Sequence, residues 1–469
     1  MGLFNKQGFA NVYYYSNLKL MITYSIIQKS QLEGAQRLDA EYYQPEYLES
    51  QNILKSWPSS FLSDICKVTD GNHSTISEQF ADSGVRYLRG KDLNDFFISD
   101  SEPTFIPENI YTRLKRSHIF RDDVLISIVG TVGMVSIVAG SFDKLTGNCK
   151  IAILHPKNVN PWFLSVFLIS RYGQDQVQRK VAGAVQTGII LKDLSNIVVP
   201  RIADALQNKI ARLVKESYEQ QLLSKHLYSN AENLLLEELG LKNFQVEDNL
   251  SFVVNFSEVQ EAHRMDAEHF QPKYEKLIEK IKQKEARVLT EVVKNIDAKF
   301  DPYKKPDDNF KYVELANINS SIGIIDGYSE ILGKEAPSRA KRLLRNGDVV
   351  VSSVEGSLEK VALVDTIQDG YLASTGFFQF RSEKMLPEVL LVLAKSIVIQ
   401  WQLKKHCAGT ILTAVPGESL KKMFVPPISK ETQQKIAEMV RKSHEARKKS
   451  KELLEEAKRK VEEMIEKSV

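Results

Sequence analysis

Two long stretches of the chain have the hydrophobic and polar pattern of helices that pack along a seam. Residues 205–239 and 431–468 contain neither Gly nor Pro, which predicts one continuous α-helix in each stretch. In the first stretch, positions 210, 214, 217, 221, 224, 228, 231 and 235 are separated alternately by four and three residues, which is heptad spacing. With a rise of ~1.5 Å per residue, each helix is about 50 Å long.

The second stretch carries the same kind of seam, 226 residues further on. Both seams are apolar at their ends and small or polar in the middle, and small side chains allow two backbones to approach closely. We therefore predict that the two helices pack against each other in antiparallel orientation. The alternative is that each helix lies on its own domain, but the matched serines favour pairing. The predicted pairing positions are Ile210, Val214, Ser217, Ser224, Ala231, Ile436, Val440, Ser443, Ser450 and Ala457.

The repeat extends beyond the helices. Arg37–Tyr47 (RLDAEYYQPEY) recurs as Arg264–Tyr274 (RMDAEHFQPKY), and Asp123–Ser127 (DVLIS) recurs as Asp348–Ser352 (DVVVS). These pairs are offset by 227 and 225 residues, close to the offset of the helices. A nearly constant offset is typical of internal duplication. The sequence therefore predicts one structural unit that occurs twice.

Within each unit the pattern changes to short strands followed by a helical segment. Gly-containing turns interrupt the strand-forming runs, so we predict an α+β fold with two tandem similar domains and two long antiparallel helices. Strands are expected within Asp122–Val138, Cys149–Leu154, Gly347–Val364 and Gly376–Phe380, and helices at Pro161–Arg179 and Pro387–Lys405. The predicted boundaries are residues 1–23 for an N-terminal tail, 24–203 and 250–428 for the domains, and 204–249 and 429–469 for the helices.

The first 20 or so residues have no counterpart in the second copy. They form either a tail or a stretch encoded upstream of a start at Met21, and the sequence leaves both open. The segment has neither an uninterrupted apolar core nor a small-residue cleavage site. It is therefore not expected to be a secretory signal.

Composition indicates the cellular compartment of the protein and excludes several classes of function. The 469 residues include 63 Lys and Arg against 60 Asp and Glu, a net charge of +3, and 43% are hydrophobic. This balance is typical of a globular protein, so any nucleic-acid surface must be a local patch. No apolar run approaches the roughly 20 residues of a membrane span. Three scattered cysteines, Cys66, Cys149 and Cys407, predict a reducing cytoplasm and no metal site.

The motifs of the enzymes considered are absent from the sequence. No Gly-x-x-x-x-Gly-Lys-Ser/Thr loop is present. The strings nearest to an amino-methyltransferase tetrad, Asn160–Phe163 and Asp301–Tyr303, both lack its second proline. The acidic Pro306–Asp308 has no Glu-x-Lys partner of the kind a nuclease needs. The sequence therefore predicts binding rather than catalysis.

Two loops at equivalent places in the units are candidates for binding, although ordinary solvated loops remain the alternative. Residues 69–75 and 299–305 are rich in polar and basic side chains and differ in sequence, while the framework around them matches. Such side chains supply hydrogen bonds to phosphates and base edges. The turns at Gly130–Gly133 and Glu355–Ser357 also match in position. The candidate DNA-binding residues are Asn72, His73, Ser74, Thr75, Arg86, Arg89, Lys91, Thr131, Tyr303, Lys304, Lys305, Lys311, Asn317 and Ser357.

The chain from about Tyr24 onward resembles the specificity subunit of Type I restriction-modification enzymes. The resemblance rests on the repeated RLDAEYYQP and RMDAEHFQP segments, the Gly-containing strand pairs, and the junctions that lead into the long helices. Those junctions are Val199-Pro200 before Gln207 and Ile210, and Val425-Pro426-Pro427 before Gln433 and Ile436. The first junction departs slightly, with Arg201 where the second has Pro427.

The resemblance implies a division of labour between the parts of the chain. Two target-recognition domains would each read half of a bipartite sequence in double-stranded DNA, in the major groove. The antiparallel coiled coil would set the gap between the half-sites, so that removing two helical turns would shift the domains by ~11 Å. Two methyltransferase subunits, which methylate adenine N6, would dock on the conserved regions. Restriction subunits would bind outside this core.

The resemblance also implies that this chain holds no cofactor. S-adenosylmethionine, ATP and Mg²⁺ would belong to the partner subunits. Two other functions stay open on the sequence alone. One is the recognition subunit of a modification system whose partner fuses methylase and nuclease, and the other is a helical scaffold that binds only protein. An enzyme with an unrecognised site is a third and weaker alternative.

Overall fold

The structure is a computed structural model, and its description covers most of the chain in two compact units. The described residues are 24–33, 37–93, 95–98, 103–140, 142–183, 186–246, 251–409 and 413–467. Unit 1 comprises the described residues within 1–220 and 449–469, and unit 2 comprises those within 221–448. The predicted tail, residues 1–23, lies outside the described residues.

In its described part, unit 1 contains two four-stranded sheets and a two-stranded ribbon, with helices beside them. The strands are β1 Ser59–Phe61, β2 Cys66–Asp70, β3 Val85–Leu88, β4 Phe105–Ile106, β5 His118–Ile119, β6 Val124–Ser127, β7 Val135–Ile137, β8 Leu145–Gly147, β9 Ile151–Pro156 and β10 Val198–Pro200. The helices are α1 Pro45–Lys55, α2 Leu62–Ile65, α3 Glu108–Arg113, α4 Pro161–Ile169, α5 Arg171–Arg179 and α6 Leu191–Ser195. Helix α7, Asp204–Glu238, begins in this unit.

Unit 2 is built from a corresponding set of elements. Its strands are β11 Arg287–Val288, β12 Lys294–Asn295, β13 Asn309–Val313, β14 Ile318–Asn319, β15 Ile324–Ile325, β16 Ser329–Leu332, β17 Ala340–Leu343, β18 Val349–Ser352, β19 Val361–Leu363, β20 Leu372–Ser374, β21 Phe377–Arg381 and β22 Phe424–Val425. Its helices are α8 Phe256–Ala262, α9 Pro272–Lys282, α10 Leu289–Val292, α11 Pro387–Lys395 and α12 Ile397–His406, and α13, Lys430–Glu466, begins here.

The strand order is the same in the two units. Sheet β4-β3-β8-β5 of unit 1 corresponds to β16-β13-β20-β17 of unit 2. In each, the two central strands are parallel and the outer pairings are antiparallel. The antiparallel sheet β2-β9-β6-β7 corresponds to β12-β21-β18-β19, which unit 2 extends by β15 and β14. The α+β fold and its duplication, predicted from the sequence, are confirmed.

The helical segment after the sheet is broken in both units, whereas the sequence predicted one helix in each. Ser170 separates α4 from α5 and has extended backbone torsions, with ψ at 163°. Ser396 separates α11 from α12 with the same ψ. Each serine hydroxyl accepts a hydrogen bond from a backbone N–H in the first turn of the next helix, Gly173 and Val398 respectively. A serine that caps a new helix therefore replaces the expected continuous rod.

The two long helices pack against each other through the predicted seam. In unit 1 the Ser217 hydroxyl donates to the Ser450 carbonyl over 2.7 Å. In unit 2 the Ser443 hydroxyl donates to the Ser224 carbonyl over the same distance. From the first pair to the second, the residue number rises along α7 and falls along α13. The two helices are therefore antiparallel. All ten predicted pairing positions are buried. The predicted pairing of the helices is confirmed, and the serine hydroxyls satisfy each other where larger side chains would not fit.

None of the described helices combines the length and apolar character that a membrane crossing requires.

Candidate functional site

The first predicted binding loop is residues 69–75, of which Thr69 and Asp70 belong to strand β2 and residues 71–75 are held against the end of strand β8. The Gly71 N–H donates to the Ile151 carbonyl over 3.0 Å, and the Asn72 N–H donates to the Gly147 carbonyl over 2.7 Å. A Cβ atom at position 71 would lie 2.1 Å from the Asn148 carbonyl oxygen, so only glycine fits here. The backbone contacts therefore fix where the loop begins.

The side chains of this loop divide into structural and exposed ones. The Asn72 amide donates to the Ser74 carbonyl over 2.8 Å, and its oxygen accepts from the Ser74 N–H over 2.9 Å. Such an Asx turn stabilises the loop conformation. Ser74 and Thr75 are exposed. Asn72 therefore shapes the loop, while Ser74 and Thr75 are available to a ligand.

A buried carboxylate at the end of strand β2 contacts one exposed histidine and one exposed arginine. Asp70 is 6% exposed, and its carboxylate lies 2.6 Å from His73 Nε2 and 2.6 Å from Arg116 Nη2. The side chains of His73 and Arg116 are 65% and 69% exposed. Arg116 was not among the residues predicted from the sequence. Its signal was the basic run Arg113, Lys115, Arg116, which extends from the end of helix α3 towards strand β5.

The other predicted residues of unit 1 near this loop lie around a second buried acid, Asp92. Arg86 is itself 7% exposed on strand β3, 3.9 Å from the Asp92 carboxylate. Arg89 lies 3.5 Å from Asp92 and is partly exposed, and Lys91 is exposed. Because every residue of β3 is buried, Arg86 stabilises the interior and is not placed to meet DNA. The prediction for Arg86 therefore needs correction.

In unit 2 the predicted loop packs against a glycine turn. The Tyr303 hydroxyl donates to the Ala336 carbonyl over 2.7 Å, and the Tyr303 N–H donates to Asp301 over 3.2 Å. A Cβ atom at Gly333 would lie 2.0 Å from the Lys305 carbonyl oxygen. Lys304 and Lys305 are exposed, and Lys305 pairs with Asp308 over 3.6 Å.

The same packing brings further basic residues to this loop. The Phe300 N–H donates to the Lys341 carbonyl over 3.0 Å, which joins the loop to the start of strand β17. Lys341 and Arg339 are exposed there. Neither makes a salt bridge with a described residue. Neither residue was predicted from the sequence, although the run SRAKRLLR indicates a local basic patch.

Lys311 and Asn317, also predicted in unit 2, have structural partners. The Lys311 ammonium donates to the Tyr371 hydroxyl over 3.3 Å and lies 4.7 Å from the centre of the Tyr328 ring. The bond to Tyr371 raises the pKa of Lys311. The Asn317 side chain accepts from the Glu314 N–H over 2.8 Å and so caps a short turn.

Thr131 and Ser357 occupy matching turns, which follow strands β6 and β18. Next to Thr131, the Gly130 N–H donates to the Thr187 carbonyl over 3.1 Å. Two residues before Ser357, the Glu355 N–H donates to the Thr413 carbonyl over 2.9 Å. The Ser357 hydroxyl bonds within its own turn, 3.1 Å from the Ser352 hydroxyl. The strand registers place the turn that carries Thr131 at the same edge of its sheet as the end of strand β2, because Asp70 pairs with Ala152 and Ala152 pairs with Ile126.

The repeated RLDAEYYQP and RMDAEHFQP segments have equivalent internal contacts. Arg37 binds Asp39 over 2.9 Å, and Arg264 binds Asp266 over 2.7 Å. Each segment also bonds to the last turn of the helix after the break in its own unit. Arg179 Nε donates to the Tyr42 carbonyl over 2.8 Å, and His269 Nδ1 lies 2.8 Å from the Lys405 carbonyl.

We predict that acid destabilises unit 2, because two histidines lie close together beside the RMDAEHFQP segment. The rings of His269 and His406 are 5.9 Å apart. Burial, with His269, Lys405, Lys422 and Arg264 nearby, lowers the pKa of His406 to about 4. Between about pH 6.5 and pH 4, His406 therefore binds a proton in the unfolded chain but not in the folded chain. As pH falls through this window, stability is lost.

We expect the urea midpoint to be lower at pH 5 than at pH 7, and the difference to shrink in the His406→Gln variant. The exposed His226 on α7 provides the control, because His226→Gln should leave the difference unchanged. An equal acid response in the wild-type protein and His406→Gln would contradict this assignment.

Among the residues that the structure describes, no group of three or more His, Cys, Asp or Glu side chains is arranged to hold a metal ion.

Comparison with known proteins gives the class of the first unit. Residues 55–233 match the family described as the Type I restriction modification DNA specificity domain. This part of the chain is therefore a domain of that class, and the resemblance inferred from the repeated segments is confirmed. The family is defined by DNA specificity and not by a reaction.

Individual relatives are more distant. A curated relative is the Type I restriction enzyme EcoBI specificity subunit of Escherichia coli, 28% identical over 137 residues. The aligned stretch covers 29% of this chain and 29% of that protein's length.

Two solved structures align over 88% of this chain and 96% of their own length. They are a Type-I restriction-modification system S subunit from M. genitalium (13% identity, TM-score 0.42) and the HsdS subunit from Thermoanaerobacter tengcongensis (15% identity, TM-score 0.28). Both TM-scores lie below 0.5, so neither likeness by itself establishes a shared fold.

Proposed function

We propose that this chain is the sequence-specific DNA-recognition subunit of a Type I restriction-modification complex. One observation carries the proposal. The DNA specificity domain at residues 55–233 is followed by a second unit with the same strand order. Two similar units with different loops are suited to reading two different half-sites of one bipartite sequence.

In the proposed complex each unit meets DNA through one loop region. In unit 1 it consists of His73, Ser74, Thr75, Arg89 and Lys91, together with Arg116. In unit 2 it consists of Tyr303, Lys304 and Lys305, together with Arg339 and Lys341. Lysines supply phosphate affinity, and the Arg, Ser, Thr and Tyr side chains supply hydrogen bonds that distinguish bases. Arg86 supports the first region from the interior, and Asn72, Lys311 and Asn317 bond to neighbouring groups of their own unit.

Partners supply the chemistry in this proposal. Two methyltransferase subunits dock on the chain and bring S-adenosylmethionine, and restriction subunits bring ATP and Mg²⁺. The chain itself binds no cofactor and catalyses no reaction. We place it in the cytoplasm, where its three cysteines, all without a disulfide partner, remain reduced.

Salt-dependent DNA binding tests the proposal. The chain, mixed with its methyltransferase partner, is titrated onto fluorescent duplex DNA at several salt concentrations. We expect the logarithm of the association constant to fall linearly with the logarithm of salt concentration, with a slope of roughly −0.9 per phosphate contacted. Partner binding without any response to DNA would instead support the protein-only scaffold.

The identity of the partner distinguishes a Type I complex from a modification system whose partner fuses methylase and nuclease. Activity that requires separate methyltransferase and restriction subunits supports a Type I complex. Methylation and cleavage by a single partner chain would indicate the system with a fused methylase-nuclease. Methyl transfer by the chain alone would contradict a non-catalytic role.

A further inference from the structure

We infer that Arg116 reads a guanine in the half-site recognised by unit 1, and that Asp70 orients it for this purpose. This inference rests on the proposed function and adds one residue and one base to it. The evidence is the arrangement of a buried carboxylate, an exposed guanidinium and an anchored backbone turn.

The backbone beside Arg116 is fixed from the interior. Ser117, the next residue, is buried, and its hydroxyl lies 2.8 Å from the Thr146 hydroxyl of strand β8. The Thr146 hydroxyl also donates to the Ser117 carbonyl over 2.9 Å. These bonds attach the turn that carries Arg116 to a central strand of the sheet. The turn is therefore a rigid base for a side chain that must meet a ligand in one geometry.

The guanidinium is fixed as well. Arg116 Nη2 bonds to Asp70 Oδ1 over 2.6 Å, and Asp70 is anchored at the end of strand β2. The side chain of Arg116 is nevertheless 69% exposed. A guanidinium has five N–H donors in a fixed fork, so a bond to one nitrogen orients the plane and leaves donors for a ligand.

The charge balance favours a base over a phosphate. Asp70 neutralises the positive charge of Arg116, and its other oxygen lies 2.6 Å from His73. A neutralised guanidinium offers little net attraction for the DNA backbone. It still offers a planar pair of donors, and guanine presents the matching acceptors, O6 and N7, in the major groove.

Unit 2 differs at the matching place. Lys341 lies 225 residues after Arg116, the same offset that relates Asp123 to Asp348. Its ammonium is a point charge without the planar fork of Arg116. In unit 2 the loop after strand β12 carries the pair Asp297 and Lys299, 2.7 Å apart, and both side chains are mostly exposed. At this place unit 1 has an oriented arginine and unit 2 has a lysine, so Arg116 contributes to only one half-site.

The test uses DNA duplexes in which one guanine at a time is replaced by an analogue that differs from it at a single position. The complex of this chain with its methyltransferase partner binds duplexes that carry the motif found by sequencing methylated DNA. Each guanine of the unit 1 half-site is replaced in turn by 7-deazaguanine, which lacks the N7 acceptor, or by inosine, which keeps O6 and N7. At one position we expect 7-deazaguanine to weaken wild-type binding by roughly 5- to 150-fold. Inosine should be tolerated there.

Variants connect that position to Arg116. Arg116→Gln should bind natural and 7-deazaguanine duplexes equally, because it lacks the guanidinium fork. Asp70→Asn should reduce the ratio of the association constants for the natural and the 7-deazaguanine duplexes. A merely structural defect would weaken binding to both duplexes alike. Arg201→Gln is the matched control, since Arg201 is an exposed arginine of unit 1 that bonds to Ser60 instead. It should keep the wild-type ratio.

Two results would overturn the inference, and they are distinguishable. If wild-type binding depends on N7 at a guanine and Arg116→Gln keeps that dependence, Arg116 is not the reader, while the proposed function stands. If the wild-type complex prefers no sequence, the proposed function fails together with the inference.

Discussion

Gly71→Ala is expected to abolish recognition of one half-site and to leave the other intact. The added methyl group would lie 2.1 Å from the Asn148 carbonyl oxygen, well inside van der Waals contact. Because Asn148 belongs to the backbone at the end of strand β8, the loop at residues 71–75 must move instead. Loss of one half-site should remove most of the specific binding, which typically exceeds non-specific binding by about 10³-fold or more. Binding to DNA altered separately in each half-site measures the effect.

Gly333→Ala is the reciprocal variant. Its methyl group would lie 2.0 Å from the Lys305 carbonyl oxygen, so it should displace the loop of unit 2 and affect the other half-site. Gly417→Ala is the control for the substitution itself, because no atom lies within 4 Å of the position its Cβ would take. If Gly71→Ala and Gly333→Ala weakened the same half-site, the assignment of one loop to each half would be wrong.

Ser224→Leu is expected to lower the stability of the chain substantially. Ser224 is 1% exposed in the seam between α7 and α13, and its hydroxyl lies 3.2 Å from that of Ser443. A leucine has no space between backbones this close, and overpacking costs about 1–3 kcal/mol. The lost hydroxyl contact adds about 1 kcal/mol. The denaturant midpoint of unfolding, followed by circular dichroism, measures the change.

The control for this variant lies on the same helix. Ser229 is exposed, so Ser229→Leu keeps the helix and the type of substitution but leaves the seam unchanged. Its midpoint should stay close to that of the wild-type protein. Equal effects of the two substitutions would show that the serine seam does not determine the stability of the helix pair.

The helix pair could be predicted from the sequence because its signal is local and repeated. Seam positions recur at heptad spacing without interruption, and Ser217 and Ser224 have counterparts in Ser443 and Ser450 at one offset. The breaks at Ser170 and Ser396 could not be predicted in the same way. Their flanking residues favour helix on both sides, and a single extended residue leaves the hydrophobic pattern almost unchanged.

The binding residues were harder to predict, because the type of a residue does not reveal its burial. Arg86 and Arg116 are both arginines near polar loops, but Arg86 lies on a buried strand and Arg116 on an exposed turn. Which of them faces solvent depends on the pairing of strands far apart in the chain. Asp70 and Arg116 are 46 residues apart, so their contact became apparent only in the folded unit.

Sequencing of methylated DNA from a host that expresses this chain with its methyltransferase partner tests the central claim most directly. Two similar units with different loops predict one bipartite motif, in which two unrelated specific half-sites flank a spacer of fixed length and unspecified sequence. A single uninterrupted motif, two identical half-sites, or methylation unrelated to any sequence would contradict the account.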